Sequence, residues 1–351
     1  GACSGDTMSL LCADSPSIES MIRRGLLDIL WHPSLSATPP GGLAALIGRI
    51  EAGEQGLDIL CIEGSLITGP FGTGMFDSYR GRAKIDIVKA LAPHARYVVA
   101  VGSCSAFGGI PAAPPNPTDS IGLQFERERP GGLLGPDWRS RAGLPVINLA
   151  GCPTHPTTIT RSLALIADGQ PLELDALNRP RAFYGSTVHQ GCTRNEYHEY
   201  DLEETQFGGR GCLFFNLGCQ GPNTLANCNS ELWNRRSSKP RAGVPCFGCT
   251  SPDFPRDNSL AENGVLLVLA HPQPPSTLFA NPGYRTKLLL FFTMAISFGY
   301  PSRLFHRWRR SLRQGRAPIV STQQQLWVIW ILRGNLLMLA LLPLLAKLAG
   351  R

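Results

Sequence analysis

The fold is decided by residues 95–104, ARYVVAVGSC, in which an apolar run ends in glycine and cysteine. Residues 144–153, LPVINLAGCP, repeat that order, and residues 57–66, LDILCIEGSL, form a third apolar run that ends near Glu-Gly. Short apolar runs bounded by glycine are typical of buried parallel strands. We therefore expect these three segments to form neighbouring strands of one parallel sheet.

Helical periodicity separates and follows the strands. Residues 82–94 have the helical period and reach Pro93 near their end, and residues 155–168 carry Pro156 near their start. Strands that alternate with helices predict an α/β protein with a flavodoxin-like, doubly wound parallel sheet. Cys104 and Cys152 come just after two of the strands, at the sheet edge where open α/β folds bind ligands.

The composition allows more than one domain and gives no sign of nucleic-acid binding. The chain has 351 residues and a net charge of +7, with 38 glycines and 29 prolines that indicate many tight loops. Much of the basic charge is local, because residues 303–316 contain six arginines and no acid. No RNA-binding signature motif accompanies this patch, so the sequence gives no support for a nucleic-acid-binding protein.

The cysteine pattern indicates metal rather than disulfides. The chain has eleven cysteines, an odd number, and a His-x-x-Cys motif lies within 61 residues of a Cys-x-x-Cys motif. Residues 185–258 have little apolar periodicity, so we expect metal to hold this segment together. Thiolates at this spacing suit iron–sulfur clusters or zinc.

Two apolar segments near the C-terminus flank the arginine-rich stretch. Residues 288–300 are apolar but only 13 long, and residues 326–348 are interrupted by Arg333, Asn335 and Lys347. Neither is a clean spanning helix, which needs about 20 apolar residues. The segment predicts a membrane-surface or hairpin anchor, or else a helical hairpin packed on the protein or a partner. At the other end, we expect residues before Gly1 to form a first strand, and no export signal is visible.

The order of the motifs over residues 1–255 resembles the small, electron-transferring subunit of nickel–iron hydrogenases. The phrase LLDILWHPSLS at residues 26–36 also resembles this family. With an aspartate at position 6, the chain resembles the oxygen-tolerant, high-affinity, actinobacterial-type members of the family, some of which have an aspartate there. The motifs that carry the resemblance are Cys3-Ser-Gly-Asp6, Glu63-Gly-Ser, Gly102-Ser-Cys104, Gly151-Cys152-Pro153, His189-x-x-Cys192, Gly211-Cys212, Gly218-Cys219, Asn227-Cys228 and Cys246-x-Gly-Cys249.

The resemblance implies three iron–sulfur clusters in a line. The proximal 4Fe-4S cluster would be held by Cys3, Asp6, Cys104 and Cys152. The medial 3Fe-4S cluster would be held by Cys228, Cys246 and Cys249. The distal 4Fe-4S cluster would be held by His189, Cys192, Cys212 and Cys219.

Asp6 is the main departure from the family pattern, which has a cysteine at this position. A carboxylate is a harder ligand than a thiolate, so it should shift the potential of the cluster and favour the oxidised state. The alternative is that Asp6 caps the helix that follows. In that case Cys12 could ligate, or the cluster could have three protein ligands.

Other candidates have weaker motifs. Glu63 could relay protons or bond a partner, or it could cap the next turn. We expect Cys61 and Cys12 to be inert core thiols, and His198 to be a surface residue. Zinc is the alternative occupant of the Cys246-x-x-Cys249 loop.

The resemblance implies a protein that does not itself split hydrogen. The nickel–iron centre would lie on a separate large subunit, and electrons would leave through the clusters to a quinone, a cytochrome b or a ferredoxin-like protein. The implied regions are a flavodoxin-like domain at 1–180, an iron–sulfur domain at 181–258 and an extension at 259–351. We expect attachment to the inner membrane, at its cytoplasmic face, and a dimer of heterodimers.

Three alternatives come from other classes. A hydrogen-sensing regulatory subunit would use the same clusters to signal to a partner protein. A structural zinc protein would have no redox role, and would be colourless where an iron–sulfur protein is brown. The related small subunit of complex I shares only the proximal cluster and lacks the second cysteine-rich segment.

Overall fold

The computed structural model describes residues 2–37, 41–255, 282–313 and 321–349. The chain separates into two compact units, Gly1–Ala270 and His271–Arg351. In the first unit the helices are α1 (Gly5–Leu11), α2 (Ile18–Arg23), α3 (Gly42–Glu51), α4 (Lys84–Leu91), α5 (Ser103–Phe107), α6 (Pro156–Ala167), α7 (Arg181–Tyr184) and α8 (Asn195–Glu199). Its strands are β1 (Leu57–Glu63), β2 (Leu66–Ile67), β3 (Ser78–Tyr79), β4 (Arg82–Ala83), β5 (Ala95–Val101), β6 (Ser120–Ile121), β7 (Phe125–Glu126), β8 (Arg129–Pro130) and β9 (Ile147–Leu149).

The central sheet is parallel, as the sequence predicts. Its order is β1-β5-β9, with Leu57 opposite Ala95 and Val99 opposite Ile147. The remaining strands, each two residues long, form three antiparallel pairs: β2 with β6, β3 with β4, and β7 with β8.

Both faces of the middle strand are buried. Val98 of β5 packs on one face with Val88 of α4, while Val99 packs on the other face with Ile159 of α6. Successive residues of a strand point to opposite faces, so an unbroken apolar run is needed when helices cover both. The run Val98–Val101 meets that need, and helices on the two faces fit the doubly wound arrangement.

The first strand is less buried than the sequence predicts. β1 ends at Glu63 and lies at the end of the three-stranded order, so it pairs with β5 on one side. Its other apolar residues are partly buried, and Cys61 is exposed. The expectation that Cys61 and Cys12 are core thiols is therefore wrong, because both are exposed in this chain.

The carboxyl end of the sheet carries the motifs. β5 ends at Val101 and is followed by Gly102 and then by α5. Gly102 has a φ of 95°, a backbone conformation that glycine adopts readily and most other residues do not. β9 ends at Leu149, and Cys152 lies between it and α6. α6 begins at Pro156, which suits the first turn of a helix because proline lacks an N–H.

Residues 185–255 are mostly irregular, in agreement with their lack of apolar periodicity. In this stretch the structure describes one α-helix, α8, and one 3-10 turn, Gly221–Asn223. A small apolar cluster of Val188, Ala226 and Cys246 lies within it. So little apolar surface cannot by itself offset the cost of ordering the loops.

The second unit consists of three helices, α9 (Pro282–Ser297), α10 (Gly299–Arg313) and α11 (Thr322–Ala349). α9 packs against α11, and the Ser297 hydroxyl donates to Oδ1 of buried Asn335 at 2.8 Å. Of the helices in the described ranges, none combines the length and the apolar character that crossing a membrane requires.

Candidate functional site

The predicted proximal residues come from three loops at the carboxyl end of the sheet. Cys3 precedes α1, Asp6 lies in the first turn of α1, Cys104 lies in α5, and Cys152 lies just before α6. Asp6 is buried, and its Oδ1 accepts a hydrogen bond from the Thr154 N–H at 2.7 Å. This bond ties the start of the chain to the loop that carries Cys152.

The Asp6 carboxyl has an unusual environment. Its pKa is raised to about 6, chiefly because burial disfavours the charged form; the Glu63 carboxylate adds to the rise, and the bond from the Thr154 N–H opposes it. A neutralising partner such as a metal cluster would relieve this cost of burying the charge. The donor set therefore fits an oxygen ligand to iron at this place.

Asp6 does not cap α1. The N-cap residue of α1 is Ser4, which makes no side-chain cap bond. Glu63 acts there instead: its Oε1 accepts from the Asp6 N–H at 3.1 Å, and its Oε2 accepts from the Thr7 hydroxyl at 2.5 Å. A carboxylate is favourable at a helix N-terminus, where free N–H groups and the helix dipole attract negative charge. Glu63 therefore caps the helix that carries Asp6, and not the turn after its own strand.

Glycines let the predicted proximal ligands approach the backbone closely. A Cβ at Gly109 would lie 2.8 Å from the Cys104 sulfur, and one at Gly5 would lie 3.2 Å from the Cys3 sulfur. A Cβ at Gly102 would collide with Oδ2 of Asp6. Glycine is therefore needed at these positions, because a side chain would displace the predicted ligand atoms. Three thiols and a carboxylate that come together from three loops are a donor set that fits an iron–sulfur cluster.

Cys12 lies away from this cradle. It is the C-cap of α1, six residues beyond Asp6, which corresponds to about 9 Å along a helix. It lines a separate open cavity with His155 and Glu231. That placement disfavours Cys12 as the fourth proximal ligand.

The predicted medial residues lie next to the proximal ones. Burial raises the pKa of Cys152 to about 12, and the Cys249 thiolate is the next largest cause. The Ser103 hydroxyl donates to the Cys249 carbonyl and accepts from the Gly151 N–H at 2.9 Å. This side chain therefore joins the loops of Cys104 and Cys152 to the predicted medial loop. The pKa of Cys228 and that of Cys246 are each raised to about 12, mainly by burial. Such thiols stay neutral at pH 7 unless a metal displaces the proton.

The four predicted distal residues line a single cavity. Its walls include His189, Cys192, Cys212 and Cys219. The Cys246 N–H donates to the Cys219 sulfur at 3.2 Å, so the backbone of a medial residue bonds a distal ligand. N–H bonds to a ligand sulfur stabilise its negative charge and raise the potential of a bound cluster.

His198, which the sequence analysis expected to be a surface residue, is partly exposed and lies beside the predicted distal residues. Its ring is half-buried, its Nδ1 lies 2.8 Å from Oε1 of Glu203, and it packs edge-on against His189 with ring centroids 6.0 Å apart. His198, Glu203 and Cys212 place their ligand atoms within 4.8 Å of one another, the only such trio among the described residues. No motif links these residues, because turns of the irregular segment bring them together.

The other predicted ligands are spread more widely than the ligands of one metal ion. None of the three predicted sets brings three ligand atoms within that 4.8 Å limit in the described chain. A cluster of several irons separates its ligand sulfurs by more than a single ion does.

Arg194 links the loops around the predicted distal residues. Its buried guanidinium donates to the carbonyls of Pro240 at 2.7 Å, Gly209 at 2.7 Å and Gly211 at 2.5 Å. Gly211 adjoins the predicted ligand Cys212. A lysine keeps the charge but cannot reach three carbonyls with one fork.

We expect Arg194→Lys to destabilise the complex by roughly 2–4 kcal/mol, because buried carbonyls lose their donors. The distal cluster should be lost first. Thermal unfolding and the distal electron paramagnetic resonance (EPR) signal measure both effects. The matched control is Arg161→Lys, whose exposed pair with Glu231 at 2.7 Å should contribute about 0.2–1 kcal/mol. Equal effects of the two substitutions would contradict this role of Arg194.

The parallel α/β sheet and the cysteines that gather at its carboxyl end and in the irregular segment after it point to a class of protein, the iron–sulfur proteins. Family models agree. Residues 3–166 match the 20 kDa subunit of NADH ubiquinone oxidoreductase, and residues 184–262 match the C-terminal part of the NiFe/NiFeSe hydrogenase small subunit. Residues 259–351 match a family described as a predicted membrane protein, DUF2214.

Curated relatives and solved structures narrow the class. The periplasmic [NiFe] hydrogenase small subunit 1 of Nitratidesulfovibrio vulgaris is 30% identical over 260 residues, which are 72% of this chain and 76% of the relative. The periplasmic [NiFeSe] hydrogenase small subunit of Desulfomicrobium baculatum is 33% identical over 280 residues, covering 73% and 82%. The structure of the actinobacterial-type NiFe-hydrogenase from Ralstonia eutropha H16 is 30% identical with a TM-score of 0.63, covering 73% of this chain and 77% of that one.

The chain belongs to the small subunits of nickel–iron hydrogenases. It is the electron-transfer subunit, and the active site lies on a separate large subunit. The second family match, over residues 184–262, separates it from the complex I subunit. The hydrogen-sensing alternative finds no support in these relatives.

Proposed function

We propose that this small subunit carries electrons from the large subunit to a respiratory acceptor through three sets of ligands. When bound, a 4Fe-4S, a 3Fe-4S and a 4Fe-4S cluster would supply one-electron carriers at the proximal, medial and distal sets. The ligands would be Cys3, Asp6, Cys104 and Cys152; Cys228, Cys246 and Cys249; and His189, Cys192, Cys212 and Cys219.

The observation that carries this proposal is the continuity of the three sets. Cys152 and Cys249 interact electrostatically, and Ser103 bonds the loops of both. At the other end of the medial set, the Cys246 N–H bonds the Cys219 sulfur. The medial loop therefore touches both neighbours, which is what a relay in the order proximal, medial, distal requires.

The ligands at the two ends differ in kind. At the entry, the Asp6 carboxylate would replace a thiolate and favour the oxidised state, since oxygen is the harder donor. At the exit, the neutral imidazole of His189 would remove a negative charge and raise the potential. The first ligand would lower the reduction potential of the proximal cluster, and the second would raise that of the distal cluster. The difference favours electron transfer from the proximal to the distal end.

The regions of the chain divide accordingly. We assign the flavodoxin-like fold and the entry to residues 1–180, and the medial and distal sets to residues 181–258. Residues 259–351 form the extension. We also retain the dimer of heterodimers as part of the proposal, with a quinone, a cytochrome b or a ferredoxin-like protein as acceptor.

His189 tests the relay. We expect His189→Ala, in the complex with the large subunit, to lower hydrogen-driven reduction of the protein or quinone acceptor at least about tenfold. The medial 3Fe-4S EPR signal should still be reduced by hydrogen, since the change lies downstream. Unchanged acceptor reduction in a variant that lacks the distal signal would contradict the proposed exit. His94→Ala, on a short 3-10 turn in the first 100 residues, is the control substitution.

The extension would hold the complex at the inner membrane, at the cytoplasmic face. The DUF2214 match supports attachment to a membrane. The exposed side chains of the extension support it too, namely the apolar Phe292, Trp327, Trp330 and Leu337 and the basic Arg303. Apolar side chains beside arginines are typical of segments that lie in the headgroup region of a bilayer.

We expect the full complex to co-float with vesicles that contain anionic lipid. Substituting Trp327 and Trp330 by serine should reduce that binding several-fold, because less apolar area enters the bilayer. Flotation in a density gradient measures it. Equal flotation of both forms would contradict membrane attachment through α11.

A further inference from the structure

Lys239 lies in the segment that joins two medial ligands, Cys228 and Cys246. Its backbone is fixed on both sides. The Lys239 carbonyl accepts from the Val244 N–H at 3.0 Å, and the carbonyl of the next residue, Pro240, accepts from Arg194 at 2.7 Å. The root of this lysine side chain is therefore held in place although the side chain itself is exposed.

The ammonium group of Lys239 lies over the medial Cys-x-x-Cys loop. Nζ is 5.2 Å from the ring centroid of Phe247, the residue immediately after Cys246. A cation over an aromatic face is attracted by the ring quadrupole, which favours this position over free solvent. The aromatic ring thus positions a positive charge beside the loop that ends in Cys249.

The same charge acts on thiols of two sets. The Cys249 thiolate is the largest cause that raises the pKa of Lys239, and Cys246, Cys152 and Cys228 add to it. In return Lys239 opposes the rise in the pKa of Cys152 and that of Cys228. The ammonium therefore lies within electrostatic range of the three predicted medial cysteines and of Cys152.

A fixed cation next to a thiolate-bound cluster stabilises the form that carries the extra electron. Three thiolates give the medial set a negative charge, so each electron that arrives there is repelled. Lys239 offsets part of that repulsion. Because its side chain is exposed, water and salt screen the effect, which is smaller than that of a buried ammonium.

Resting on the electron relay proposed above, we infer that Lys239 tunes the medial cluster, its ammonium group raising the cluster's reduction potential so that electrons move readily from the proximal to the medial set. Lys239 is a positioning residue for charge, since it acts through the ligands and touches no reacting atom.

The test is a redox titration of the medial 3Fe-4S EPR signal in the purified complex with the large subunit. Lys239→Met should lower the equilibrium constant for its reduction about three- to tenfold, and tenfold corresponds to 59 mV for one electron. The shift should shrink at high salt. Lys239→Arg, which keeps the charge, should titrate like the unsubstituted complex, and so should Lys89→Met, which removes an exposed charge on α4.

If Lys239→Met fails to hold the cluster, Lys239→Gln removes the same charge with a polar side chain and should show the same shift. A medial midpoint that is equal in the neutral variants and the unsubstituted complex overturns the inference and leaves the relay intact. Absence of a 3Fe-4S signal from the unsubstituted complex overturns the proposed relay itself and this inference with it.

Discussion

Replacement of Cys152 by alanine is expected to abolish hydrogen-driven reduction of the medial cluster and of any acceptor beyond it. Cys152 is the predicted proximal ligand that interacts most strongly with the medial Cys249. Its loss removes both a cluster ligand and the link between the two sets. Since no second entry to the medial set exists in the proposed relay, we expect acceptor reduction to fall at least about 100-fold. Reduction of the medial EPR signal under hydrogen measures it.

The matched controls are Cys12→Ala and Cys61→Ala. Both cysteines are exposed, and neither belongs to a predicted set. We expect each control to retain the iron content and the hydrogen-driven turnover of the unsubstituted complex. A Cys152→Ala complex that still reduced its medial cluster with hydrogen would contradict the proximal assignment. Loss of turnover in Cys12→Ala would instead assign Cys12 to the proximal set.

Asp6→Cys should shift the proximal cluster to a higher reduction potential and leave it bound. A thiolate is softer than a carboxylate, so the reduced, softer iron gains relative stability. Asp6→Ala should go further and lose the cluster or convert it to a form with three protein ligands. Oδ1 of Asp6 also accepts the Thr154 N–H at 2.7 Å, so Asp6→Asn serves as a near-isosteric variant that keeps one acceptor.

The proximal EPR signal and its midpoint potential separate these outcomes. Asp14→Asn is the control, since its exposed carboxylate lies on the other side of Cys12 and forms only a long contact with Arg235, at 3.9 Å. We expect it to leave the proximal potential unchanged. Equal proximal potentials in Asp6→Ala and the unsubstituted complex would show that Asp6 is a structural hydrogen-bond acceptor and not a ligand.

The sheet could be predicted from the sequence because burial leaves a local signature. The run at Val98–Val101 is apolar at every position, and the structure covers both of its faces. The expected helix with Pro156 near its start is also confirmed, as α6. The exposure of Cys61 could not be predicted, because it depends on which strands flank β1. The residues of a strand do not reveal its position in the sheet.

The finer parts of the site depend on contacts between distant segments. Glu63 caps α1 across more than 50 residues, and Ser103 joins three loops. His198 reaches His189 only through the turns of a segment without apolar periodicity. Sequence spacing predicts metal-ligand motifs, because thiolates of one cluster recur in short patterns, but it carries no signal for the groups that surround them.

The most direct test of the relay is iron analysis of the purified complex together with an EPR redox titration of the same sample. The account predicts about eleven iron atoms per small subunit, a 3Fe-4S signal in the oxidised protein and two further signals on reduction. Near-zero iron in this subunit, with stoichiometric zinc in its place, would contradict electron transfer through this chain.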